Sequence, residues 1–508
     1  MNQKQFLIRG TFLLTIAGIG SRFLGFFYRV FLSRTIGAEG IGIFQLILPV
    51  SMFCTAVAAG GIQTAISRYC AEYYVKKQSG NAERILACGL VLSVSLAVLT
   101  AFVIYGYSDL IAIRFLAEKR CAPLLRITAF SLPFAVIHAC FCGFFIGIKQ
   151  VRIPAAAQMA EQLTRIGSVF LLYYILQKGG HSMSFTAMAF GQVAGEISSA
   201  LLCTLWYLGS RATEHSGNDA MLGFPEACRK ILTVSAPLGL NRMFICVLQG
   251  IEAALLPQQL ILYGLTSSEA LALYGTMSGM VLPLLLFPTA VTGALGTLLL
   301  PAVSEARITD NGKQLSKTIE GSFCLSFILG IFFFSIFALF GSEIGWLLFG
   351  STAAGQILTE LAWLCPFLYL NTTLVHILHG LGKTFAVSLQ NTLGFLGRLA
   401  AVFFLVPVYG IKGYSGGLFG SQIFIFAASL YTLHHNKPLH LPVMEVFLKP
   451  LASCMFGICC YCLSGSVLPY LRQNCWGSLI LNGCIFMSAF FTALWIMPPQ
   501  KKIPAAQK

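Results

Sequence analysis

Apolar residues run through this chain in long unbroken stretches and do not alternate with polar ones. VLPLLLFPTAVTGALGTLLLP, residues 281–301, is one such stretch. A membrane β-barrel would need segments of about ten residues facing lipid and lumen in turn, and that period of two is missing. Windows of about 20 apolar residues, enough to cross a bilayer as a helix, recur about fourteen times. They are centred near residues 20, 53, 95, 136, 167, 195, 245, 286, 329, 368, 398, 422, 458 and 486. The pattern predicts an all-α polytopic membrane protein.

The chain also repeats itself. At an offset of 233 residues AFSLPFAVIHACFCGFFIGIK, from residue 129, lies over AWLCPFLYLNTTLVHILHGLG, from residue 362. Pro133 then meets Pro366, Gly147 meets Gly380, Arg165 meets Arg398, and Val169, Phe170 meet Val402, Phe403. Ala, Val or Phe matches arise readily in apolar sequence, whereas paired Pro, Gly and Arg do not. Near the same offset Glu72 meets Glu305, and FGQ at 190 resembles FGSQ at 419. Six spans per copy follow, and an even number returns the second copy to the same side of the membrane. The expected organisation is a six-helix lobe over 1–210, a second over 228–435, and two further helices over 445–499. Pro49, Pro133, Pro237, Pro283, Pro288 and Pro366 are expected to interrupt spans. The spacings GFFIG (143–147), GQVAG (191–195), GTMSG (275–279) and GGLFG (416–420) suit close helix packing.

Composition agrees: 57% of residues are hydrophobic and only 10% charged. The net charge of +15 is a topology signal and not a nucleic-acid footprint. With the N-terminus inside, cytoplasmic segments hold 20 Lys and Arg against seven opposite, with six left in the spans. Both termini are therefore expected in the cytoplasm. The N-terminal run lacks a small-residue cleavage pattern, so no removable signal peptide is expected. The 17 cysteines, CCYC at 459–462 among them, read as small packing residues, and no convergent His or carboxylate marks a metal site.

Charge inside the spans changes the picture most. Arg22 and Arg29 stand seven residues apart, two helical turns, on one face of the first span. Arg126, Arg165, Arg242 and Arg398 complete the embedded set. At roughly 3 kcal/mol each on insertion scales, six lipid-facing arginines would cost on the order of 18 kcal/mol. They are expected to face a wet cavity, a partner or an interface. Arg126 is near a span end and can snorkel. Glu161 and Arg165, one turn apart, form a structural ion pair. Embedded acids are few: Glu161, Glu196, Glu252 and, near an end, Glu360, with Asp109, Asp219 and Asp310 in loops. Glu196 and Glu252 are the candidates for ion coupling. The positive surplus favours an anionic passenger, and arginine forks suit a diphosphate. His138, His376 and His379 lie in spans and read as packing polar groups. No GxSxG, Walker, HExxH or GxGxxG context and no nucleophile with a base is found, so neither catalysis nor a cofactor is expected.

The opening IRGTFLLTIAGIGSRFLGFFYRVFLSRTIGAEGIGIFQLILPV, then GGIQTAISRYCAE and FPTAVTGALGTLLLPAVSEA, resembles the stage V sporulation protein B group of polysaccharide-type flippases. That group belongs to the multidrug/oligosaccharidyl-lipid/polysaccharide (MATE-like) exporter superfamily. The resemblance implies two six-helix lobes in a V around a central cavity, plus two C-terminal helices beside a groove for a lipid tail. In the related lipid II flippases first-span arginines engage a headgroup diphosphate. Arg22 and Arg29 match those positions with one residue more between them. Where those flippases carry further arginines this chain has Met52, Phe53 and Cys54 in one place and Pro283 in the other, and Arg242 is the candidate substitute.

The expected function is a flippase of the bacterial plasma membrane. It moves a polyprenyl-diphosphate-linked saccharide, a cell-wall precursor such as lipid II, by alternating access. Arg22, Arg29, Arg242 and Arg398 are its expected binding residues. Its partners are the lipid-linked anionic oligosaccharide, membrane lipids and candidate wall-synthesis enzymes, without nucleic acid, and the chain is expected to act as a monomer. Two alternatives stand beside it. A cation-coupled drug antiporter would depend on Glu196 or Glu252, and a non-transporting scaffold for wall synthesis would depend on none of the arginines.

Overall fold

The computed structural model describes residues 3–180, 183–211, 222–308, 312–436, 444–467 and 476–496, and every regular element among them is helical. Asp219, Asp310, the Glu305 side chain and the two ends on which the expected orientation rests lie outside the described residues. The chain packs as two compact units, Met1–Gly279 and Met280–Lys508.

The first unit contains α1 (Gln3–Thr35), α2 (Gly37–Ala59), α3 (Ile62–Val75), α4 (Ser79–Leu110), α5 (Cys121–Ala129), α6 (Leu132–Gly147), α7 (Arg152–Lys178), α8 (Thr186–Arg211), α9 (Phe224–Leu262) and α10 (Ser267–Gly275). A π-helical segment, Thr276–Val281, continues α10. Lipid gives apolar helices little reason to prefer each other over acyl chains, so close approach through small residues holds them together. A Cβ on Gly42 would lie 2.1 Å from the Leu271 oxygen, and one on Gly275 would lie 2.1 Å from the Ala38 oxygen. The backbones of α2 and α10 therefore touch. Gly143 and Gly147 seat α6 on the Gln63 and Ser67 carbonyls of α3, at 2.5 and 2.7 Å from an added Cβ. Gly195 does the same for α8 against the Glu161 carbonyl of α7.

The second unit contains α11 (Leu282–Leu286), α12 (Thr289–Ile308), α13 (Gly312–Phe349), α14 (Thr352–Leu361), α15 (Cys365–Gly380), α16 (Thr384–Phe404), α17 (Val406–Tyr409), α18 (Ile411–Asn436), α19 (Lys449–Val467) and α20 (Trp476–Ile496). Its core is aromatic. Phe323, Phe327, Phe332, Phe486 and Phe490 are buried together, with ring centroids of Phe332 and Phe490 5.4 Å apart, and Phe340 meets Tyr461 at 5.1 Å. These contacts fasten α19 and α20 to α13. In GGLFG the spaced Gly416 and Gly420 face open space, and Gly417 instead meets Ala401 of α16.

A shift of 233 residues carries the bounds of α6 onto those of α15 and brings the start of α7 to within one residue of the start of α16. The prolines divide by position. Pro49 lies inside α2 and Pro237 inside α9, where each removes a backbone bond. Pro133 opens α6 after a break in the helix, where the missing N–H has no intrahelical partner to lose, whereas Pro283 and Pro366 stand just past the points where π and 3-10 segments pass into α11 and α15 within continuous helical stretches. α5 and α6 meet at a 46° bend just before Pro133. Among the described residues eleven helical stretches are long and apolar enough to cross a membrane, or twelve if that bent pair is one span, beside the expected fourteen or so. α1 and α7, of 33 and 27 residues, are also long enough by length.

Candidate functional site, an arginine-lined cavity

A cavity of about 680 Å³ opens within the first unit, a size that holds a small ligand or headgroup. Five helices and the π segment build it. α1 contributes Gly25, Tyr28, Arg29 and Leu32; α2 contributes Gln45, Ser51, Met52 and Thr55 among others. α7 adds Gln162 and Arg165, α8 adds Gln192 and Glu196, and α9 adds Arg242 and Gln249. Gly279 closes the wall. Three arginines and four glutamines thus line a space with one carboxylate.

Arg29 is positioned from two sides. Its place on α1 aims it inward, and its Nη1 donates to the Gly279 oxygen at 3.1 Å. That acceptor lies in the π turn of Thr276–Val281; such turns shift backbone carbonyls off the α register and are common where side chains need them. A residue larger than glycine at 279 would have to push the Ile41 side chain aside, because a Cβ there would stand 2.2 Å from it. Arg165 pairs through Nη2 with Glu161 Oε1, one turn earlier on α7, with side-chain exposures of 23% and 15%. Removing either member would leave the other charge in a low-dielectric wall without its hydrogen-bonded partner, which is why such a pair is costly to break. Glu161 Oε2 lies 3.9 Å from His138 Nδ1. With Arg165 neutralised by Glu161, the cavity keeps Arg29 and Arg242 against Glu196, a positive balance.

The sequence-derived residues scatter around this centre in an informative way. Arg22 is exposed on α1 and outside the cavity, whose α1 lining begins at Gly25. Two turns amount to about 10 Å along the axis, so a residue on the face of Arg29 can still fall one storey beyond the cavity. Arg242 lines it from α9. Arg398 lies in the second unit, where its guanidinium sits 4.3 Å over the Phe395 ring. Glu196 lines the cavity, and Glu252 is buried in α9 away from it. Arg126 is held at the end of its span by Asp109 Oδ2 at 2.5 Å and Ser108 Oγ at 2.8 Å. His376 packs its ring on Gly296 of α12.

Among the lining residues that sequence reasoning missed are four amide side chains, Gln45, Gln162, Gln192 and Gln249. The usable signal was an uncharged amide standing in an apolar span, a group that needs a partner or water. The cysteines also differ from expectation in one place. Cys142 and Cys203, 61 residues apart, come together beside His138. The i,i+4 spacing of His138 and Cys142 was readable; the approach of Cys203 came only with the packing of α8.

Many long apolar helices, with an arginine-rich cavity inside one bundle, define a multi-pass membrane protein with a polar internal site. A family model described as polysaccharide biosynthesis protein matches residues 7–307, and the chain belongs to that family. Stage V sporulation protein B of Bacillus subtilis (strain 168) is 25% identical over 494 residues, covering 96% of this chain and 94% of that protein. Lipid II flippase MurJ of the same organism is 23% identical over 334 residues, 62% of this chain and 60% of MurJ. A solved lipid II flippase MurJ in an inward closed conformation matches with a TM-score of 0.71 at 16% identity, over 95% of this chain and 98% of that one. At that identity the structural likeness is one of fold.

Proposed function

We propose that this protein flips a polyprenyl-diphosphate-linked saccharide, a precursor of wall or surface polysaccharide, across the bacterial plasma membrane. One observation carries the reading: Arg29, Arg165 and Arg242 line one cavity of about 680 Å³ in the membrane-embedded first unit. Such a surplus of guanidinium in low dielectric calls for an anion, and a diphosphate offers oxygens for two forks at once. The four glutamines provide neutral donors and acceptors for sugar hydroxyls. Membership of the polysaccharide biosynthesis family and likeness to a sporulation protein and a lipid II flippase support the same passenger class.

The headgroup enters the cavity while the isoprenoid tail remains in lipid, and the two repeat halves, 1–210 and 228–435, alternate access. Arg22, one storey beyond the cavity on α1, meets the diphosphate as it enters or leaves. Glu196, the lining carboxylate, binds the proton or cation that resets the carrier. Both termini lie in the cytoplasm, and the chain acts as a monomer.

The test is flipping of a fluorescent undecaprenyl-diphosphate saccharide by the full-length protein in proteoliposomes. Arg29→Ala and Arg242→Ala should each slow it by about ten- to a hundredfold, the worth of a charged hydrogen bond of about 1.5–3 kcal/mol. Undiminished flipping in the double variant would overturn the reading. A protein that loses flipping only on Glu196→Gln, and exports cations, would be an antiporter.

A further inference from the structure

Beside the cavity wall lies a cluster that the proposed transport leaves unused. His138 and Cys142 stand one turn apart on α6, and α8 brings Cys203 to them. One imidazole nitrogen and the two Sγ atoms lie within 4.8 Å of one another. Both cysteines are buried. His138 Nε2 is also shut off from solvent and has no hydrogen-bond partner among the described residues. The other ring nitrogen, Nδ1, faces the Glu161 carboxylate at 3.9 Å.

We propose that His138 Nε2, Cys142 Sγ and Cys203 Sγ bind one thiophilic d10 cation, Zn2+ fitting best, with Glu161 orienting the imidazole. Zinc takes nitrogen and sulfur donors in a tetrahedron, and three protein ligands leave the fourth place to water or a carboxylate. A metal-bound histidine usually turns its second ring nitrogen to a carboxylate, and Nδ1 faces Glu161 at 3.9 Å, a small closure away from such a bond. The orphaned Nε2 then has its partner. Ligand distances of about 2.0–2.3 Å require donors roughly 3.5–4 Å apart, a small side-chain rotation from the observed spacing. On binding, each thiol releases its proton to solvent, so two thiolates neutralise the divalent ion and the filled site adds no net charge to the bundle. His138, Glu161 and Glu196 also converge within 4.8 Å. There, however, the Arg165 guanidinium already occupies Glu161 and repels a cation. The thiol side is therefore the site. Its ion ties α6 to α8 and, through Glu161, to α7, three helices next to the cavity. The inference holds whatever the cavity carries.

Full-length protein purified in detergent under reductant is titrated with Co2+, a coloured stand-in for Zn2+, and Zn2+ is then measured by competition with a chelator. The expected result is one ion per chain and a sulfur-to-cobalt charge-transfer band. Cys142→Ser and Cys203→Ser should each abolish the band, while Cys459→Ser, at an exposed cysteine, should leave it unchanged. Glu161→Gln should weaken Zn2+ binding by about tenfold or more. His138→Asn, the residue at the matching repeat position, keeps a polar side chain while removing the ligand and should also lose the band. A wild-type protein without the band, a band that survives both serine variants, or a Cys142–Cys203 disulfide that persists under reductant would each overturn the proposal. Because wild type alone can fail this test, it does not depend on whether the variants fold.

Discussion

The two copies of the repeat use the same helices for different electrostatics. In the first unit α6 and α7 carry His138, Glu161 and Arg165, an acid paired with a base and faced by an imidazole at 3.9 Å. The matching places on α15 and α16 hold Asn371, Gly394 and Arg398. The acid has become a glycine, and an added Cβ at Gly394 would stand 2.7 Å from the Ile425 side chain, so α16 closes on α18 where α7 keeps a carboxylate. The histidine has become an asparagine that donates from Nδ2 to the Gln422 backbone oxygen at 3.0 Å and to its Oε1 at 2.8 Å. The arginine persists and lies over Phe395. Neutral hydrogen bonds continue nearby, from Gln390 Nε2 to Thr432 Oγ1 at 2.7 Å and from Ser429 Oγ to Gln390 Oε1 at 3.0 Å. One copy carries an ion pair at a cavity wall, while the other is joined mainly by amides and hydroxyls and keeps its arginine over a ring.

Three substitutions probe that contrast through thermal unfolding of the detergent-solubilised protein. Glu161→Ala should have the largest effect, a loss of about 2–4 kcal/mol, since it strands a largely buried Arg165; the residual exposure of the pair places it below the full cost of a deeply buried one. An unchanged midpoint would mean that the charged copy gains nothing from its pair. Gly394→Ala should cost about 1–3 kcal/mol by forcing Ile425 aside. If it is neutral instead, the close approach of α16 and α18 is not what replaced the acid. Phe395→Leu should cost only about 0.5–1 kcal/mol, the worth of a guanidinium over a ring, and a larger loss would show that Arg398 depends on that ring far more than an ordinary cation–π contact allows.

Much of this was legible in the sequence, for identifiable reasons. Pro133 with Pro366 and Gly147 with Gly380 bracket α6 and α15, so the repeat and the bounds of its helices could be read from residues that apolar composition does not scatter by chance. The Glu161 and Arg165 contact is local, one turn on one helix, and local spacing is what a sequence displays best. Height within the bundle is not local. Arg22 and Arg29 share a face by periodicity, yet only tertiary packing decides that the cavity wall starts at Gly25. Arg165 is paired and also lines the cavity, two conditions that spacing cannot separate. Cys203 reaches His138 through the Gly191 and Gly195 contacts of α8 on α7, an approach set by glycines whose neighbours are named only in three dimensions.

The Gly279 carbonyl has a consequence for how an anion would be received. It is a neutral dipole, a weaker partner for the Arg29 fork than a charged phosphate oxygen would be. The Arg29 guanidinium is thus already held by one bond at the cavity wall. An anion docking on Arg29 would then be spared part of the roughly 1.5–2 kcal/mol needed to freeze a free arginine side chain, and the same oxygen would accept the guanidinium again once the anion left.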